Sequence, residues 1–197
     1  IGSGIGKLSV VGGNGNHVAI DERPDRIFDA ACCGKEHILD ANGQEVHEVV
    51  LDETVTSVPR SAFCGNSNLT SIVIPDSVTS IGEYTFYGCT DLKIVTIGNG
   101  VTSIEKNSFE ACRNLKYVTI PVSVTSIKRA AFINCEKLTD VYYAGSKQDW
   151  DYISIEDENY NLTNATIHYI VPLERGKCGS NLIWTLDDAG TLTIIGT

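Results

Sequence analysis

The chain has no methionine, two tryptophans and no run of 18 or more apolar residues. The last absence excludes a membrane-spanning helix, which needs about 20 apolar residues to cross the hydrocarbon core. Clustered basic residues are missing as well. The 25 acidic and 15 basic side chains leave a formal charge of −10, so counterion release from phosphates has no basic patch to act through, and nucleic acid and anionic membrane are excluded as expected partners. Residues 1–71 carry 10 acidic and 5 basic side chains, residues 72–140 carry 7 and 7, and residues 141–197 carry 8 and 3. The middle is neutral and both ends are acidic. The chain opens at Ile1 without a charged, apolar leader, which reads as a mature or trimmed chain.

Catalytic and metal motifs are equally scarce. His17, His37, His47 and His168 stand in no H-E-x-x-H or nucleophile-elbow pattern, so single surface histidines are the expectation. The glycines around Asn14 lack the Lys and following helix of a phosphate-binding loop, and residues 1–18 read as a loose lead-in. Asp149, Asp151, Glu156, Asp157 and Glu158 lack the D-x-D-x-D-G order that wraps calcium and read as a solvated cap face. Asn68-Leu69-Thr70 and Asn161-Leu162-Thr163 are glycosylation sequons only in a eukaryotic secretory route. No enzyme, cofactor or metal is expected.

What is present is one self-similar block, laid end to end from about Val49 to Asp140 with a 23-residue period. Val58, Ile81, Ile104 and Ile127 recur in step, as do Phe63, Phe86, Phe109 and Phe132, then Leu69, Leu92, Leu115 and Leu138, and also Val55, Val78, Val101 and Val124. Apolar pairs in period two lead each block: Val49 and Leu51, Ile72 and Ile74, Val95 and Ile97, Val118 and Ile120, Val141 and Tyr143. Few, fixed apolar positions at such a period mean that one block is one coil of a solenoid, which buries its core only by stacking on its neighbours. Within a coil the leading pair points inward from a short parallel strand. The chain then turns at Gly98–Gly100, or at Pro75 and Pro121, and runs extended through Thr and Ser ladders (Thr56, Thr79, Thr102, Thr125; Ser57, Ser80, Ser103, Ser126). A turn of helix is expected around Ser108–Cys112, dropping Phe109 into the core.

Seven cysteines are present. Cys89, Cys112 and Cys135 share one repeat position, filled by Asn66 in the first block, with neither CxxC spacing nor a partner His, so they are expected as buried free thiols. Cys32, Cys33, Cys64 and Cys178 lie outside that column, and pairing of one of them elsewhere stays open. Residues 21–35 suit a short helix and Asn42-Gly43 a hairpin, together capping the first coil. Trp184, Leu186, Leu192, Ile194 and Ile195 alternate about Asp187–Gly190, as in a terminal hairpin.

The texts IPDSVTSIGEYTFYGCTDLKIVTI (74–97) and IPVSVTSIKRAAFINCEKLTDVYY (120–143) resemble the BspA-like subclass of bacterial leucine-rich repeats, with its I-P-x-S-V-T-S-I and A-F-x-x-C elements, over about residues 48–143. Alternation of Asn and Cys at one repeat position is a habit of leucine-rich repeats. Residues 142–169 resemble the terminal coil that closes such arrays, with Trp150 one period after Ile127, and residues 178–197 resemble a β-hairpin found beside them. The resemblance implies a secreted or surface-attached bacterial protein linked to adhesion and to host or matrix contact, and no catalytic motif carries over.

The expected fold is a leucine-rich-repeat solenoid, mainly β with short helical turns and capped at both ends. Residues 1–47 would be lead-in and cap, 48–170 the solenoid with its terminal coil, and 171–197 a linker and hairpin of an incomplete following module. The leading expectation for function is a monomeric recognition module that binds a host or matrix protein or a glycan, outside the cell or on its surface. A structural spacer and an accessory domain of a larger surface enzyme are the alternatives. Residues between the inward strand positions form the candidate face, in rows through Ile94, Tyr117 and Asp140 and through Thr96, Thr119 and Tyr142. Tyr117 and Tyr142 are the expected anchors, with Lys93 and Lys116 adding charge at the edge.

Overall fold

A computed structural model describes the backbone of residues 9–12, 17–19, 45–171, 182–187 and 192–196, and the side chains of 45–170. The leading apolar pairs form the parallel strands β3 (Glu48–Leu51), β5 (Ser71–Ile74), β7 (Ile94–Ile97), β9 (Tyr117–Ile120) and β11 (Asp140–Tyr143), joined by β13 (Thr166–Val171). Their pairing keeps Val49, Ile72, Val95, Val118, Val141 and Ile167 in one row. A one-residue slip would turn every buried side chain out to solvent, so this apolar row locks the register. The sheet continues antiparallel at both ends, through β1 (Ser9–Gly12) and β2 (His17–Ala19) beside β3, and through β14 (Leu182–Asp187) and β15 (Leu192–Gly196) beside β13. Residues 9–12 and 17–19 are therefore paired strands and not part of a loose lead-in: the β-branched pair Val10 and Val11 lies along the β3 edge. The helix expected over 21–35, the Asn42-Gly43 turn, Cys32, Cys33, Cys178 and residues 188–190 lie outside the described residues.

A second wall consists of the two-residue strands β4 (Ser57–Val58), β6 (Ser80–Ile81), β8 (Ser103–Ile104), β10 (Ser126–Ile127) and β12 (Ser154–Ile155), paired in parallel as β4 with β6 and as β8, β10 and β12. The threonine ladder adds main-chain bonds between coils there, from Thr79 N to the Thr56 carbonyl and from Thr125 N to the Thr102 carbonyl, both 2.9 Å. At the corner leading into it, Gly98 and Gly100 lie so close to the preceding coil that a Cβ would sit 2.4 Å from the Pro75 carbonyl carbon and 2.2 Å from the Asp76 oxygen. Only glycine fits that approach.

The third wall corrects the expected helical turn. Asn107 and Ala111 both have left-handed backbone (φ 57° and 59°), and the equivalents Ser61, Tyr84 and Ala130, then Gly65, Gly88 and Asn134, do the same. Two left-handed residues per coil break the right-handed run a helix needs, at a cost of roughly 1–2 kcal/mol for each non-glycine residue. Bonds between coils offset that cost, from Phe63 N to the Thr85 carbonyl (2.8 Å), Phe86 N to Ser108 (2.7 Å) and Phe109 N to Ala131 (2.9 Å). The turns still deliver their aromatic rings inward. Phe63, Phe86, Phe109 and Phe132 are buried and stack with centroids 5.1–5.2 Å apart.

Cys89, Cys112 and Cys135 run alongside as free, buried thiols, each donating to a Phe carbonyl of the preceding coil at 3.0, 3.1 and 3.2 Å. Burial raises all three thiol pKa values, that of Cys135 to about 12. The repeat position therefore calls for a small side chain with one weak donor.

The terminal coil departs from the period. Ile155 pairs with Ile127 on the second wall and takes the place expected for Trp150, because helix α1 (Lys147–Asp151), with its Ser146–Asp149 capping box, is inserted before β12. Trp150 instead packs edge-on against buried Tyr143 at 5.2 Å. A second short helix, α2 (Tyr160–Thr163), buries Leu162 over the end of the core.

Candidate recognition face on the parallel sheet

Strand alternation leaves two outward rows on the large sheet. One runs through Glu48, Ser71, Ile94, Tyr117, Asp140 and Thr166, the other through Val50, Val73, Thr96, Thr119, Tyr142 and His168. All six strand positions expected from the sequence share this face. Lys93 and Lys116 stand exposed at its edge, with Lys116 N bonded to the Lys93 carbonyl at 2.9 Å.

The face is not uniform along the solenoid. Toward its N-terminal end Val50, Val73 and Ile94 are 41%, 38% and 46% exposed, and these large apolar side chains stand on three successive strands. Toward the C-terminal end the surface becomes aromatic and polar. Tyr117 and Tyr142 are tilted against each other at 6.3 Å, and Tyr142 stacks on His168 at 4.8 Å with planes 16° apart. The Lys116 ammonium lies 4.7 Å from the Tyr117 ring centre. Asp140 Oδ1 lies 2.8 Å from His168 Nε2, and its Oδ2 accepts from Thr139 Oγ1 at 2.7 Å. These bonds, that of His168 foremost, hold the Asp140 carboxyl below the ordinary range. Thr96 and Thr119 lie half-buried between the two zones.

His168 is the residue that sequence reasoning missed. The sequence marks it only as an isolated surface histidine, yet strand pairing puts it beside Tyr142, at a longer step than the strict coils take. The alternation of Ile167 and Tyr169 is the available signal, because two inward positions imply an outward one between them. Other polar residues are taken up by the end of the array. Asp149 caps α1, Asp151 pairs with Lys147, and Glu156 and Glu158 pair with Lys128 and Arg129. Asn68 is buried and donates to Glu45. Among the described residues no three His, Cys, Asp or Glu side chains are grouped to hold a metal ion, and no helix is long and apolar enough to cross a membrane.

Parallel strands with a 23-residue period, inward Leu, Val and Ile, and an Asn or Cys column define a leucine-rich-repeat solenoid of about five turns. Residues 41–167 match the BspA type leucine rich repeat region in six copies, and the chain belongs to that family. Such repeats are generally non-catalytic. A leucine rich cell surface protein from Faecalibacterium prausnitzii is 30% identical over 60% of this chain and 40% of its own, with a TM-score of 0.45. Leucine-rich repeat proteins from Eubacterium ventriosum (29% identity, 50% of this chain and 27% of that one, TM-score 0.48) and Bacteroides ovatus (28%, 51% and 33%, TM-score 0.43) are also similar. The matched region spans less than half the length of each of these three relatives. No curated protein matches the chain significantly.

Proposed function

We propose that the chain is a non-enzymatic recognition module of a bacterial surface or secreted protein, binding a protein or glycan through the outward face of the large sheet. The observation that carries this reading is the ordered cluster of Tyr117, Tyr142 and His168, continued by exposed Val50, Val73 and Ile94. A solvent-facing sheet with no partner is normally polar, and aromatic side chains already held in place lose little rotamer freedom on binding. Tyr117 and Tyr142 anchor, Ile94 adds apolar contact, Thr96 and Thr119 offer hydroxyls, Lys93 and Lys116 supply charge, and Asp140 holds His168 in position. Family membership supports the surface or secreted setting, and the module acts as a monomer toward a host or matrix partner.

Arrays of host and matrix proteins and of glycans, probed with the wild type and with Tyr117→Ala/Tyr142→Ala, test the reading. The double substitution should weaken binding at least about tenfold, or about 1.4 kcal/mol, with an unchanged melting temperature. Undiminished binding would move the site elsewhere. One observation favours a spacer role instead: strands β1, β2, β14 and β15 prolong the solenoid sheet at both ends, which suits a rod holding neighbours apart. A chain that binds nothing on any array would support that reading.

A further inference from the structure

Resting on the recognition reading above, we infer that the outward face takes an extended, acidic polypeptide segment rather than a sugar chain. Size is the first argument. Six parallel strands about 4.8 Å apart make a strip roughly 24 Å long, with outward positions about 7 Å apart along each strand. Two outward residues per strand make the strip narrow, a shape that suits a single extended chain. An extended segment of about seven residues, at ~3.4 Å each, has the right length.

Ring geometry is the second. A sugar packs its C–H face on a bare aromatic face, but His168 covers one face of Tyr142 and Lys116 lies over Tyr117. One face of each ring is thus taken, and the tilted ring edges suit aliphatic and amide groups. Charge is the third. Among the described residues neither Lys93 nor Lys116 forms an ion pair: the Lys116 ammonium lies over the Tyr117 ring, and the nearby Asp140 carboxylate is bonded to His168 and Thr139. Two exposed cations beside exposed Val73 and Ile94 fit a segment that carries Asp or Glu next to aliphatic residues.

Linear heptapeptides displayed on phage and panned against the 197-residue chain are the probe, with a glycan array run in parallel. The enriched peptides should combine Asp or Glu with aliphatic residues. A synthetic copy of one should bind at least about tenfold more weakly to Lys93→Glu/Lys116→Glu, and fresh panning on that variant should enrich Lys or Arg in place of the acids. Ile94→Asp should abolish binding, whereas Thr79→Asp on the second wall should leave it unchanged. Circular dichroism confirms that each variant is folded. The inference is overturned if no peptide is enriched, or if charge reversal leaves the selected sequences as they were. Glycan binding that is lost in Tyr117→Ala/Tyr142→Ala would also overturn it while leaving the recognition reading intact; silence on both arms removes both.

Discussion

The strict coils and the terminal coil solve the same packing problem in different ways. From Val49 to Asp140 each coil meets the next through identical positions, so backbone groups bond to backbone groups and Phe stacks on Phe. Past Tyr143 the described residues hold no further strict coil, and side chains of the terminal coil take over the work of the backbone. Phe132 N, whose equivalents donate to a carbonyl of the following coil, donates to Asn159 Oδ1 at 3.1 Å. The Asn159 amide in turn donates to the Lys128 and Glu156 carbonyls, at 2.9 and 2.8 Å. A solenoid end exposes polar groups that any neighbouring coil would satisfy, and one buried asparagine closes three of them.

The contrast is most exposed to test in the core. Phe109→Ala removes a ring stacked on both sides and should cost about 3–5 kcal/mol by chemical denaturation. Half-exposed Trp150→Ala in the terminal coil should cost about 1–2 kcal/mol. Equal losses would mean that the terminal coil is as tightly packed as the array.

Next in size, Asn159→Ala strands one buried donor and two acceptors and should cost about 1–3 kcal/mol. Amide exchange should speed up first at Phe132. A substitution that leaves the exchange of Phe132 unchanged would show that the cap lies elsewhere.

Thiol reactivity compares coils without a mutation. Cys89, Cys112 and Cys135 should resist a thiol reagent at neutral pH until the protein unfolds, since burial both hides them and disfavours the thiolate. Rapid labelling of all three in the native state would contradict their place in the wall.

The smallest effect is on pH. Asp140 has its carboxyl pKa lowered by His168 and Thr139, so its contribution is present above the unfolded carboxyl value of about 3.9 and disappears as pH falls through the folded one. Asp140→Asn should therefore lower the urea midpoint slightly at pH 7 and have less effect at acidic pH. The pair is partly exposed, which keeps the change small.

The array is legible in the sequence because its constraint is periodic: a Phe or Leu that recurs four times in step has one physical reading, and register follows from it. Local backbone is less so. Asn107 and Ala111 carry left-handed conformations that their side chains barely announce, Ala least of all, so a helical turn is the natural expectation. The terminal coil misleads for the opposite reason, since Trp150 falls on the period by arithmetic while the inserted helix α1 hands its place to Ile155. On the candidate face, Ile94, Tyr117, Asp140, Thr96, Thr119 and Tyr142 follow from alternation alone. His168 does not, because the longer step from Tyr142 is visible only once β13 is paired.

Deleting one period asks whether each 23-residue repeat is an interchangeable coil. Removing residues 95–117 joins Ile94 to Val118 and keeps every inward position inward; removing 95–116 shifts the remainder by one residue. The full-period deletion should unfold cooperatively in urea with a native-like circular dichroism spectrum, and the deletion that is one residue shorter should not fold. Equal behaviour of the two, whether both fold or neither does, would show that the repeat is not the unit of packing.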